Sequence, residues 1–151
     1  MSNNLIGIGW EPIFPTGTLF QLPLSIIQKS VGVIFYSNYN DQAEIDDLHL
    51  LGLNFEHVLF LNMEDFETDE HKDLLSIPTT EHARRIKHFC NKYIDHDFVV
   101  SCAAGISRTG TVVEYLRQHG DFKLDPKYSH QQFVPNEFLA QLITSVDTEV
   151  D

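Results

Sequence analysis

Three stretches of the chain run almost continuously apolar: Val31 to Tyr36, His57 to Met63 and Asp97 to Cys102. Such short, β-branched and aromatic runs predict strands buried on both faces. Leu5 to Trp10, alternating apolar residues with glycine, adds a short first strand. Between these runs the apolar positions recur at helical spacing. Gln42 to Leu51 carries Ile45, Leu48 and Leu51 on one side and stops at Gly52. Glu81 to Tyr93, capped by Thr79 or Thr80, turns Ala83, Ile86, Phe89 and Cys90 inward. Thr111 to Gln118 presents Val112, Val113, Tyr115 and Leu116 before Gly120 ends it, and Glu137 to Ser145 follows Pro135-Asn136.

The remaining segments read as connections. Pro12, Pro15, Gly17 and Pro23 punctuate turns around an extended piece from Gly17 to Leu22, and Leu24 to Lys29 predicts a short helix. Asp121 to Tyr128 reads as a connector, Ser129 to Phe133 fits either a helical turn or a loop, and the tail from Val146 reads as frayed. Glu64 to Asp73 is dense in acids and reads as a solvated loop that Leu74, Leu75 and Ile77 tuck back. Strands interleaved with helices predict an α/β three-layer domain. Its central, mostly parallel sheet is flanked by helices, and residues 1–151 form one domain.

Charge narrows the partners. With 22 acidic and 10 basic residues, the formal net charge of −12 disfavours general affinity for nucleic acid or an anionic membrane. Two cysteines are too few for a disulfide scaffold and fit a reducing compartment. The absence of a basic, then apolar N-terminal stretch and of any long apolar run predicts a cytoplasmic protein. No Cys, His and acid spacing suits a metal, so neither metal nor cofactor is expected.

The chemistry concentrates where the third strand ends. Cys102-Ala103-Ala104-Gly105-Ile106-Ser107-Arg108-Thr109-Gly110 describes a strand end, a tight loop and a helix start. Backbone N–H groups in such a loop point inward and make an anion cradle. A cysteine at its base is held as thiolate by those donors, and Arg108 offers a rigid two-pronged donor for a tetrahedral oxyanion. In a parallel sheet this loop stands at the carboxyl end of a central strand, where ligands bind. Cys102 as a buried structural cysteine is the plainer alternative.

This stretch resembles the C-x5-R signature of cysteine-dependent protein tyrosine and dual-specificity phosphatases. Ala104-Gly105, Ser107 and Thr109-Gly110 fit its small, hydroxyl and glycine positions, and Pro135-Asn136 is similar to a feature of small bacterial and viral members. The similarity runs from about Val58 to Glu137. It implies a phosphatase-like fold and a phosphomonoester hydrolase acting through a cysteinyl-phosphate, with protein phosphotyrosine one candidate substrate and a small-molecule phosphomonoester another. Cys102 is then the nucleophile, and Ala103, Ala104, Gly105, Ile106, Ser107 and Arg108 bind phosphate. Gly105 and Gly110 serve curvature and close packing, and the Thr109 hydroxyl eases departure of the sulfur.

The family places a general acid on a loop after an earlier strand. Asp65 is the first choice, with Asp69 and Asp73 at comparable separations. Where the family has histidine before the nucleophile, this chain has Ser101, which can support the loop through a hydrogen bond but carries no charge. Slower or differently pH-dependent catalysis is the expectation. The alternative reading is a phosphate-binding interaction module with weak or no turnover. Cys90 reads as core, although some relatives protect an oxidised nucleophile with a second cysteine.

Overall fold

A computed structural model describes residues 2–11, 17–37, 40–63, 78–130 and 132–146. Along the chain run β1 (Asn3–Gly9), a 3-10 turn (Leu19–Gln21), α1 (Leu24–Ile27), β2 (Ser30–Tyr36), α2 (Gln42–Gly52) and β3 (His57–Asn62). They are followed by α3 (Thr80–Lys92), β4 (Asp97–Cys102), α4 (Arg108–His119), β5 (Phe122–Leu124) and α5 (Glu137–Ser145). The strands form one sheet in the order β3-β2-β4-β1-β5, and every described pairing is parallel. The three-layer α/β architecture with a parallel sheet is therefore what the apolar runs predicted.

Residue alternation sorts the two faces of the sheet. Val31, Val33 and Phe35 of β2 and Phe98, Val100 and Cys102 of β4 join Ala83 and Ile86 of α3, Val112 and Leu116 of α4 and Leu139 of α5. Ile6 and Ile8 of β1, Ile34 and Val99 face the other way, with Leu19, Ile27, Leu48 and Phe55. Alternate residues of a strand point to opposite faces, so strands covered on both sides need an unbroken apolar run. Burying about 25 cal/mol per Å² on each face is the dominant favourable contribution to such a sheet.

Several boundaries differ from expectation. The segment Asp121 to Tyr128 is not wholly a connector: Phe122–Leu124 pairs with Asn3–Leu5 as an edge strand. Three residues are too few to show a period, and their partner lies far away in sequence. The extended piece expected up to Leu22 contains the 3-10 turn, and Leu24's helix ends at Ile27. Gly52 closes α2 from inside, with Leu53 at the cap. Phe89 is only half-buried, its ring meeting Phe98 edge-on at 6.2 Å. Most consequential, α4 starts at Arg108 rather than Thr111, so Arg108, Thr109 and Gly110 form its first turn. Leu74, Leu75 and Ile77 lie outside the described residues. Among the described residues no helix is long and apolar enough to cross a membrane.

Candidate active site

Cys102 ends β4 and Arg108 opens α4, so the five residues Ala103 to Ser107 make the whole connection. Gly105 is at φ +75°, the left-handed region that glycine enters without steric cost. The loop lies tight against the end of β1. Trp10 N–H donates to Cys102 O at 3.1 Å and Glu11 N–H to Ala103 O at 3.0 Å. On the other side, Val134 N–H donates to Ile106 O at 3.2 Å and Asn136 N–H to Ser107 O at 3.3 Å. Four carbonyls are thus taken up from outside. The N–H groups of Ala103, Ala104, Gly105 and Ile106 donate to no backbone carbonyl among the described residues. Unspent N–H groups on a curved, glycine-bearing segment leading into a helix N-terminus form an anion-binding concavity.

Arg108 closes that concavity. It is 8% exposed, and its Nη1 donates to Met63 O, just past the end of β3, at 2.7 Å. Its Nε is buried without a hydrogen-bond partner. The one ion pair among the described residues joins Arg84 to Glu81 on the surface, so none of them neutralises Arg108. A desolvated guanidinium without a counter-charge is costly, and an anion offered at the Nε edge relieves that cost. Ser101 and Thr109 flank the loop, both fully buried, and each hydroxyl oxygen is likewise without a partner. The positive end of the α4 macrodipole adds to the field at the same place.

The chain matches no family model, no curated protein and no solved structure. The site is therefore read from its own residues.

Ser101, Cys102, the Ala103–Ser107 loop, Arg108, Thr109 and Gly110 come together at the strand end and first helical turn. Gly110 supports the turn by close packing, since a Cβ there would sit 2.9 Å from Phe133 Cβ. Asp65, Asp69 and Asp73 lie outside the described residues. Cys90 is fully buried on α3, and burial pushes its thiol pKa far up, which suits core packing. Both cysteines are free thiols. No cluster of three or more metal-ligating side chains occurs among the described residues.

One residue escaped the sequence reading. His130, in the connection after β5, contacts both β1 and the Cys102 loop: its Nε2 accepts from Gly9 N–H at 2.9 Å. No local pattern marks it, because the contact depends on β5 pairing with β1.

Proposed function

We propose that the chain is a cysteine-dependent phosphomonoester hydrolase with a phosphatase-like fold, akin to small dual-specificity phosphatases. The observation that carries this reading is Arg108: a buried guanidinium with its Nε edge unpartnered, closing a loop of unspent N–H donors that begins at a cysteine. Protein phosphotyrosine and small phosphomonoesters are the candidate substrates.

The steps follow from the side chains. The Cys102 thiolate attacks phosphorus, forming an S–P bond as the P–O bond to the leaving group breaks. The loop N–H groups and the Nε–Nη2 edge of Arg108 hold the nonbridging oxygens, and Nη1 stays anchored on Met63 O. A carboxylic acid gives its proton to the departing oxygen. Asp65 is proposed for that role because it stands two residues beyond Met63 in sequence; Asp69 and Asp73 are its alternatives. The carboxylate then takes a proton from water, which attacks phosphorus, and the S–P bond breaks to return thiolate and inorganic phosphate. Thr109 Oγ1, buried beside the loop without a partner, is a donor for that departing sulfur.

Turnover of p-nitrophenyl phosphate, with mass spectrometry of a quenched reaction, tests the reading. Wild type is expected to hydrolyse the ester and carry a phosphoryl group on Cys102. Cys102→Ser is expected to lose turnover while still binding tungstate. Equal rates in wild type and Cys102→Ser would remove the nucleophile from the mechanism. Tungstate binding without hydrolysis would instead make the chain a phosphate-binding module.

A further inference from the structure

The edge of β1 is finished by side chains rather than by a strand. After β5 ends at Leu124, the following segment continues along β1, with Asp125 N–H donating to Leu5 O at 2.8 Å and His130 N–H to Gly7 O at 2.9 Å. The intervening β1 donors turn to side chains. Gly7 N–H donates to Ser129 Oγ at 3.2 Å and Gly9 N–H to His130 Nε2 at 2.9 Å. Gly9 is the β1 residue in register with Cys102. The Ala104 carbonyl, inside the candidate phosphate loop, acts on the same ring in the sense that raises its pKa. It lies against Gly105 as well, close enough that a Cβ there would come within 2.5 Å of its Cδ2.

We propose that neutral His130 is a positioning residue for the Cys102–Arg108 loop, its imidazole tying the end of β1 to Ala104 so that the loop N–H groups stay turned toward a bound oxyanion. The loop has few other means of holding this shape on the β1 side. Among the described residues its remaining backbone ties there are Trp10 N–H to Cys102 O and Glu11 N–H to Ala103 O, both upstream of Ala104. Beyond them the imidazole lies against Gly105, which is at φ +75°. A neutral imidazole is suited to this because it offers one acceptor and one donor on opposite edges. Burial lowers the His130 pKa, against the opposing pull of the Ala104 carbonyl, and so favours that neutral form.

The inference deepens the proposed function, and its test separates the two. Hydrogen exchange of the 101–110 peptide, tungstate affinity and p-nitrophenyl phosphate turnover are measured for wild type, His130→Ala, His130→Phe and His130→Gln. Phe keeps a ring against Gly105 without either hydrogen bond, whereas Gln keeps an acceptor and a donor at similar reach. Exchange in this peptide should quicken in the Ala and Phe variants, and tungstate affinity and kcat should each fall about tenfold or more. Gln should recover most of both. Unchanged exchange in Ala and Phe, or a Gln variant no better than Phe at equal thermal stability, would overturn the positioning role. Because exchange is read without substrate, a wild type that fails to turn over would sink the phosphatase reading and leave this test intact.

Discussion

Gly9 and Gly105 meet backbone to backbone: a Cβ on Gly105 would fall onto Gly9 N, and a Cβ on Gly9 would lie 2.7 Å from Ala104 O. The strand end and the Cys102–Arg108 loop can approach this closely only because neither residue has a side chain. Gly105 carries the additional demand of φ +75°. Gly105→Ala is therefore expected to destabilise the fold by about 1–3 kcal/mol and to weaken tungstate binding further than stability alone explains. Urea denaturation beside a tungstate titration checks both. Wild-type stability with wild-type affinity would mean that the loop tolerates another path.

Arg108 combines an observed contact with a proposed one, and one ammonium cannot make both. Its Nη1 is spent on Met63 O at 2.7 Å, and the proposed oxyanion contact uses the other edge of the same plane. Lysine can point at one acceptor and lacks the rigid fork. Arg108→Lys is expected to lower kcat/KM on p-nitrophenyl phosphate by about 10²–10³ with a small change in melting temperature. A loss confined to stability, with turnover intact, would assign Arg108 to the Met63 contact alone.

The parts of this molecule that were legible in the sequence are those with a local period or motif. The unbroken runs of β2 and β4 announced strands covered on both faces, whereas the run of β3 forms an edge strand in which only Leu61 is buried. Thr79 and Asn136 marked helix starts where their side chains accept from His82 N–H and Leu139 N–H. The strand end, loop and helix start from Cys102 to Arg108 were legible because those residues are contiguous. What stayed hidden depends on contacts between distant segments. β5 exists because Asn3–Leu5 offers an edge, and His130 reaches Gly9 only once β5 has docked. The early start of α4 was obscured by Gly110, which reads as a helix breaker but sits where a Cβ would crowd Phe133. A packing demand there overrides helix propensity.

Cys90 separates a redox role from a packing role. It is fully buried, within the same core cluster as Cys102, and burial holds its thiol in the protonated form. Cys90→Ser places a hydroxyl among apolar neighbours and is expected to cost about 1–3 kcal/mol while leaving turnover unchanged. After oxidation of wild type by a short peroxide pulse, recovery of turnover with dithiothreitol should be matched by Cys90→Ser. Recovery lost only in Cys90→Ser would make Cys90 a resolving thiol.

His82 predicts how stability responds to acid. Its Nδ1 accepts from Thr79 N–H at 3.1 Å at the start of α3, and its Nε2 pairs with Asn62 O at 3.0 Å at the end of β3. One ring thereby joins a helix cap to a strand exit, an arrangement that needs the neutral imidazole. Burial lowers the His82 pKa most, the Asn62 carbonyl raises it, and Arg85 and Glu81 pull in opposite directions for a net decrease. A histidine with a lowered folded-state pKa binds protons more readily when unfolded, so stability increases with pH across the interval between the two values. The contribution is complete above the unfolded value of about 6.5 and is lost as pH falls from there through the folded value. His130 is shifted in the same direction, so removing one ring should take away only part of the effect. Urea midpoints of wild type are expected to fall between about pH 7.5 and about pH 5.5, and those of His82→Gln to fall less steeply. Identical slopes in the two proteins would show that protonation of His82 does not oppose folding.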